Sequence, residues 1–178
     1  MADERSIASY VQGWPTISPI DHANLPSIAF STVAEVGYVW PGTTVVDEQV
    51  DAGVLLIQAP GAVGKSAAAK ALAAELHWPL VDSAKAQVGS YSLSGLIQDS
   101  LGFGHSFLRD LSENATGIIV DALDEAQLRA GTQNFIEFLR NIANLSQSGP
   151  HATPRIILLS RPDTADLIRS FFVEVNVP

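Results

Sequence analysis

From residue 54 onward, short apolar runs alternate with longer segments in which apolar residues recur at a helical period. The apolar runs predict strands over residues 54–58, 79–82, 117–121, 155–160 and 172–176. The periodic segments predict helices over residues 65–77, 91–102, 105–113 and 132–146. Alternation of strands and helices is typical of βαβ units, so the pattern predicts an α/β domain with a mainly parallel sheet.

The first 50 residues lack this sustained pattern and are punctuated by prolines. We expect an N-terminal arm or linker over residues 1–50, with one short strand in residues 28–30 or 36–40. The α/β core is then expected over residues 51–178. Aromatic residues of the arm are expected to pack on the sheet or to form part of a base pocket; they are Phe30, Tyr38 and Trp40.

Composition restricts the classes of function. A chain of 178 residues, 47% of them apolar, can bury one substantial core, which indicates one domain. The net charge of -9 and the pI near 4.7 argue against nucleic acid or an anionic membrane as the main partner. The chain has no cysteine, which excludes a disulfide framework and a thiolate metal site. It also has no apolar run of transmembrane length and no signal-peptide pattern, so we expect a cytoplasmic protein.

The strongest chemical signal lies between the first predicted strand and the first predicted helix. Residues 59–66 have the spacing of a Walker A phosphate loop, G-x-x-x-x-G-K-[ST], with Ala59 in place of the first glycine. Backbone N–H groups converge on phosphate oxygens only where the loop carries no bulky side chains, and the helix that follows adds its positive end. Lys65 is expected at the β- and γ-phosphates, and the Ser66 hydroxyl as a ligand for Mg²⁺. The alternative is a glycine turn that only joins a strand to a helix. The predicted nucleotide-binding residues of the loop are Ala59, Pro60, Gly61, Ala62, Val63, Gly64, Lys65, Ser66 and Ala67.

A second signal is the apolar run over residues 117–120, which is followed by acids at Asp121, Asp124 and Glu125. In an open α/β sheet the ligand lies beyond the carboxyl ends of the strands, so Asp121 is expected to face the phosphates. We predict that Asp121 holds Mg²⁺, directly or through water, and that Glu125 orients the attacking water, with Asp124 supporting either role. The alternative is a solvated acidic first turn of a helix, which the helix dipole alone would favour.

The predicted strand over residues 155–160 carries a third signal, because it ends in Ser160 and Arg161. A polar group at this end of a strand beside the phosphate-loop strand can contact the γ-phosphate or the attacking water. Ser160 is therefore a predicted nucleotide contact and Arg161 a predicted catalytic residue. An equally open alternative is that Arg161 pairs with the acids of the preceding element.

Together these motifs resemble the NACHT-type group of signal-transduction ATPases with numerous domains, within the P-loop ATPases that carry an additional strand and a catalytic glutamate. The resemblance rests on the loop at 59–66, the run Ile-Ile-Val-Asp-Ala-Leu-Asp-Glu at 118–125, and the strand that ends in Ser160-Arg161-Pro162. It covers residues 50–176. Leu159 departs from the pattern, since the family usually has threonine before Ser-Arg-Pro.

The resemblance implies a three-layer αβα sandwich with a five-stranded, mainly parallel sheet in the order 5-1-4-3-2. It implies ATP or ADP with Mg²⁺ as cofactors, and a switch in which the nucleotide state controls self-association or the assembly of a larger multidomain signalling or defence protein. The sequence contains neither the helical lid nor the winged-helix domain of the family, so we expect an excised nucleotide-binding core, with a minimal relative of the family as the alternative. Without a lid or a partner's arginine, the expected hydrolysis is slow.

Other functions use the same motifs. A small-molecule kinase also has a phosphate loop on a chain of this length, but the arginines here form no clustered lid segment, and the acids after the strand favour water as the acceptor. An interaction module could hold ADP or ATP permanently as a scaffold, without turnover. A GTPase is disfavoured, because the chain has no Asn-Lys-x-Asp segment to read guanine.

Overall fold

A computed structural model describes residues 4–7, 14, 39, 42–44, 53–84, 93–101, 105–113, 115–147, 155–175 and 177. Its strands are β1 (Glu4–Ser6), β2 (Gly42–Thr44), β3 (Val54–Gln58), β4 (Leu80–Asp82), β5 (Ile118–Asp121) and β6 (Ile156–Ser160). Its helices are α1 (Lys65–Leu76), α2 (Leu93–Leu101), α3 (His105–Ser112), α4 (Leu123–Ala130), α5 (Thr132–Ser146) and α6 (Pro162–Glu174). None of the helices among the described residues has the length and apolar character needed to cross a membrane.

Among the described residues, the main sheet has four strands in the order β3-β6-β5-β4, and all of its pairs are parallel. The register runs from Val54↔Ile156 to Gln58↔Ser160 between β3 and β6. Parallel neighbours require long crossovers, and the helices between the strands supply them. β6 therefore lies between β3, which leads into residues 59–66, and β5, which ends in Asp121.

The five-stranded sheet in the order 5-1-4-3-2 is wrong in strand count and order for the described residues. Residues 172–174, predicted as the start of a fifth strand, are the last turn of α6. This helix begins with Pro162, whose fixed φ suits the first helical turn, and its buried residues Ala165, Ile168 and Phe172 recur at a helical period. The helical period thus outweighs the strand preference of the apolar residues near the end of the chain.

Each face of the sheet carries its own apolar cluster, because successive strand residues point to opposite faces. Ile119, Ile157 and Leu159 pack with α1 on one face. Ile118, Val120 and Leu158 pack with α2 to α6 on the other face. The described core is therefore an α/β sandwich with helices on both faces of a parallel sheet.

The N-terminal residues contribute to the α1 face. β1 and β2 pair as antiparallel strands, and Ile7 is buried in the cluster that contains α1. The Trp14 ring stacks on the Trp78 ring with 5.9 Å between their centroids. The strand predicted in residues 28–30 or 36–40 lies outside the described residues except for Val39, which is exposed and not in a strand. Phe30, Tyr38 and Trp40 also lie outside them.

Two close-packed positions lie at the amino ends of strands, away from the carboxyl edge. Gly117 precedes β5, and a Cβ there would lie 2.4 Å from the Cε3 and Cζ3 atoms of Trp78. Arg155 precedes β6 and is only 8% exposed, and its Nε and Nη1 have no hydrogen-bond partner. Burial lowers the pKa of Arg155, because desolvation disfavours its charged form.

Candidate functional site

Positive backbone angles shape the loop between β3 and α1. Gly64, directly before α1, has a φ of 90°, and Ala62 has a φ of 61°. Glycine adopts such angles without strain, whereas alanine pays about 1–2 kcal/mol for them. Gly64 occupies the N-cap position and has no side chain that could accept a hydrogen bond from the unpaired N–H groups in the first turn of α1. They remain as donors at the positive end of the helix.

The Lys65 side chain folds back over this loop. Its Nζ donates to the Ala59 carbonyl at 3.1 Å and to the Pro60 carbonyl at 3.0 Å. The Ala59 N–H donates to the Ser160 carbonyl at 3.2 Å, which ties the start of the loop to the end of β6. Neutral carbonyls, and no described carboxylate, thus hold the ammonium group. Its positive charge is not neutralised by an acid of the site.

Asp121 ends β5 as a buried acid with 6% exposure. Its backbone carbonyl accepts hydrogen bonds from the N–H of Ser83, at 3.1 Å, and from the Ser83 hydroxyl. Its carboxylate makes neither a hydrogen bond nor an ion pair with the described residues. Burying a charged group without a partner is costly, so this carboxylate is better suited to a cation than to a structural role.

A tight turn at Ala122 separates Asp121 from the other two acids. Ala122 has a φ of 61° and precedes α4, which carries Asp124 and Glu125 in its first turn. The two acids have different surroundings, since Asp124 is buried and Glu125 is exposed. Glu125 is therefore the more accessible of the two acids to a water molecule.

Arg161 is tied to the buried acid. Its Nε lies 2.7 Å from Oδ2 of Asp124, and the Arg161 side chain is 55% exposed. A Cβ added to Gly61 would lie 3.8 Å from Cζ of Arg161, so the guanidinium group lies beside the loop between β3 and α1. Of the two roles left open by the sequence, pairing with an acid is the contact observed.

These groups enclose one cavity of about 320 Å³ at the carboxyl edge of the sheet. Its walls come from the loop, the start of α1, the end of β5, the start of α4 and the residue after β6. The lining residues are Gly61, Ala62, Gly64, Lys65, Ser66, Ala67, Asp121, Ala122, Asp124, Glu125 and Arg161. Three segments that are far apart in the sequence therefore meet around one space.

No family model, no curated protein and no solved structure matches this chain. The chemistry of the cavity therefore has to be derived from its own residues. Two positive side chains, three acids, a hydroxyl and the first turn of a helix line it. This set combines donors for an anion with oxygen ligands for a cation.

Four of the predicted site residues do not line the cavity. Ala59 and Pro60 contribute carbonyls to Lys65, and Val63 is 57% exposed at the surface. Ser160 is fully buried, and its Oγ has no hydrogen-bond partner. A nucleotide could contact the Ser160 hydroxyl only if the surrounding residues moved to expose it. The predicted site residues other than these four already line the cavity.

A second cavity, of about 470 Å³, shares Arg161 and Asp124 with the first, and the sequence does not predict it. The ends of α4, α5 and α6 that meet there contribute Asp124, Gln127, Leu128, Gly131, Thr132, Arg161, Asp163 and Thr164. The Thr164 hydroxyl donates to Oε1 of Gln127 at 2.5 Å, which joins α6 to α4. No motif marks these residues, because they meet only through the packing of the three helices. The ion pair of Arg161 and Asp124 is a wall common to both cavities.

Within the described ranges there is no group of three or more His, Cys, Asp or Glu side chains that could hold a metal ion. Mg²⁺ does not require such a group, because it keeps several waters and is held through one or two protein oxygens and phosphate oxygens. The unpaired carboxylate of Asp121 and the hydroxyl of Ser66 line the same cavity and are ligands of this kind. The residues present therefore fit Mg²⁺ that arrives with a polyphosphate.

Proposed function

We propose that this chain is a P-loop nucleotide-binding domain that binds ATP or ADP with Mg²⁺ and hydrolyses ATP slowly. The observation that carries the proposal is the 320 Å³ cavity, which joins the phosphate loop, Asp121 and Arg161. A glycine turn that only connects a strand to a helix would not need an unpaired buried acid and a guanidinium group across from it. The alternative, that residues 59–66 form only a connecting turn, is therefore less well supported.

The phosphates would be held by the backbone of residues 61–67 and by Lys65. Backbone N–H groups at the start of α1 are not capped by Gly64, and the helix end is positive. To reach a phosphate, the Lys65 ammonium group exchanges two carbonyl contacts for charged oxygens. The ammonium group is the charged donor in both cases, but a phosphate oxygen adds the opposite charge as acceptor, so this exchange is favourable.

Ser66 and Asp121 would hold Mg²⁺. The ion, when bound, would neutralise charge on the phosphates. Glu125 is exposed at the edge of the cavity, where it can accept a proton from water that attacks the terminal phosphate. Described residues provide only Lys65 and Arg161 as cations in the cavity, which fits slow turnover, because charge on the transferred group is poorly stabilised.

The proposal extends to the role of the domain. Like the NACHT-type ATPases that its motifs resemble, the chain would act in the cytoplasm as a switch whose nucleotide state controls self-association or the assembly of a larger protein. The net charge of -9 supports neither nucleic acid nor an anionic membrane as the partner.

A second candidate function is phosphoryl transfer to a small molecule. The 470 Å³ cavity favours it, because this cavity shares Arg161 and Asp124 with the proposed phosphate site and offers hydroxyl, amide and carboxylate groups to a polar acceptor. An assay of phosphate release, run beside phosphate transfer to a panel of nucleosides and polyols, separates the two functions. The hydrolase predicts release without transfer.

The experiment that tests the main proposal is titration calorimetry with ATP, ADP and GTP, each with and without Mg²⁺. We expect micromolar binding of the adenine nucleotides that is lost in Lys65→Ala. Equal binding by wild type and Lys65→Ala would overturn the proposed site. Glu125→Gln should keep binding and lose hydrolysis, whereas a permanently loaded scaffold would show no hydrolysis even in wild type.

A further inference from the structure

The three nitrogens of the Arg161 guanidinium group differ in their contacts. Nε is used by Asp124 at 2.7 Å, and the described residues provide no hydrogen bond or ion pair to Nη1 or Nη2. The guanidinium is planar and carries its donors in a fixed fork. A carboxylate on Nε therefore fixes the plane of the group and leaves the outer pair of nitrogens free. Such a pair binds two oxygens of one anion.

Asp124 is well suited to serve as the fixed member of this pair. It lies in the first turn of α4, and its side chain is 11% exposed, against 55% for Arg161. The start of α4 is held by hydrogen bonds from the N–H groups of Glu125 and Ala126 to the Ala122 carbonyl, each at 3.1 Å. The carboxylate is thus anchored by a helix, whereas the arginine follows the end of a strand and has room to rotate.

Without the contact to Asp124, the Arg161 side chain could point toward either of two cavities. Arg161 lines both the 320 Å³ cavity and the 470 Å³ cavity, and its Cζ lies beside Gly61 of the phosphate loop. A guanidinium released from Asp124 could therefore turn away from the phosphate loop into the second cavity. The ion pair selects one of these two orientations.

We infer that Asp124 is a positioning residue that holds Arg161 by its Nε, so that Nη1 and Nη2 bind the terminal phosphate and distinguish a triphosphate from a diphosphate. This rests on the proposed nucleotide site. It replaces the direct catalytic role predicted for Asp124 with an action through Arg161. The quantity that Asp124 controls is the ratio of the ATP and ADP affinities, and not the affinity for both.

The test is titration calorimetry of ATP and ADP with Mg²⁺ on wild type, Asp124→Asn, Arg161→Lys and Arg161→Ala. We expect wild type to prefer ATP, and all three variants to lose about tenfold of this preference with ADP affinity unchanged, as expected for a charge-assisted bidentate contact. Arg161→Lys keeps the charge but lacks the fork, so it should behave like Asp124→Asn. Asp124→Glu should recover part of the preference, because it restores a carboxylate.

Controls separate this inference from the proposed function and from loss of structure. Asp166→Asn removes an exposed acid of α6 that pairs with Arg169, and it should leave the ratio unchanged. Thermal melts by circular dichroism establish that each variant is folded. If Lys65→Ala abolishes binding but Asp124→Asn keeps the wild-type ratio, only the inference is overturned. Equal losses of ATP and ADP affinity in folded Asp124→Asn also overturn it, and wild type that binds neither nucleotide overturns both proposals.

Discussion

Replacing Asp121 with asparagine tests whether this acid serves a cation or the fold. The residue is 6% exposed, and its carboxylate lines the cavity without a partner among the described residues, so the unliganded protein bears the cost of a partly desolvated charge. Asparagine has nearly the same shape and keeps the backbone contacts to Ser83. We expect unliganded Asp121→Asn to be more stable than wild type by about 1 kcal/mol, since removing an unpaired buried charge is stabilising.

Nucleotide should reverse this order. A ligand at 100 times its Kd stabilises the folded state by about 2.7 kcal/mol. For a chain of 178 residues, each kcal/mol shifts Tm by roughly 2–4 °C. Wild type should therefore gain about 5–10 °C from ATP with Mg²⁺. Asp121→Asn should gain no more with Mg²⁺ than with ATP alone, because the metal has lost its carboxylate ligand.

Differential scanning fluorimetry of both proteins, with ATP and with or without Mg²⁺, measures all of these shifts. Asp110→Asn is a matched control, because this acid on α3 is 42% exposed and pairs with Arg109. The control should keep the wild-type Tm in every condition. If Asp121→Asn is less stable than wild type without ligand and still gains the full Mg²⁺-dependent shift, Asp121 is a structural residue and the reasoning is refuted.

Three further predictions concern the stability of the fold, each measured by urea unfolding of the unliganded protein. Gly117→Ala should lose about 1–3 kcal/mol, because its Cβ would lie 2.4 Å from the Trp78 ring; unchanged stability would mean that the indole moves freely. Gly64→Ala should lose about 1–2 kcal/mol through its φ of +90° alone, since no atom lies within 4 Å of the added Cβ, and a larger loss would indicate a clash. Arg155→Met should gain about 1 kcal/mol, because Nε and Nη1 are buried without partners; a loss would reveal a stabilising contact of the guanidinium.

The regular elements with strong periodicity could be predicted from the sequence. The bounds of α5, residues 132–146, agree with the prediction, because Phe135, Phe138, Leu139 and Ile142 recur at a helical period and are all buried. The predicted bounds of the parallel strands agree with the structure to within one residue, since each strand contains consecutive apolar residues before a polar residue at its carboxyl end.

Elements that depend on distant contacts could not be predicted in this way. The local pattern does not predict the helix α6 and predicts a strand at its last turn, because Phe172 and Val173 favour strands locally, while packing on the sheet decides for a helix. The pairing of β1 with β2 joins residues 4–6 to 42–44 through strands too short to show an alternating pattern.

The sequence predicts most of the residues that line the 320 Å³ cavity, but of the contacts among their side chains it offers only the pairing of Arg161 with an acid, as one of two alternatives. Strand order brings the loop, Asp121 and Arg161 to one edge, and the rule that ligands lie at the carboxyl ends of parallel strands predicts this meeting. Side-chain conformations decide that Arg161 pairs with Asp124 and that Lys65 lies on loop carbonyls. No sequence spacing predicts either contact, because each depends on side-chain rotamers that are set by packing in the site.

The acceptors that hold Lys65 and Arg161 differ in strength. The two side chains should therefore differ in how easily a bound nucleotide displaces their present acceptors. Lys65 is held by neutral carbonyls, whereas Arg161 is held by a carboxylate. Both contacts have a charged donor, but only the Arg161 contact also has a charged acceptor, which adds a Coulomb attraction that solvent partly screens at this 55% exposed side chain. A phosphate therefore displaces the carbonyls from Lys65 more easily than it displaces Asp124 from Arg161. Lys65 should control the affinity for every nucleotide, while Arg161 stays paired and contributes only where a terminal phosphate meets its free nitrogens. Because the chain carries a net charge of -9 and has no general attraction for anions, these local contacts must supply the affinity.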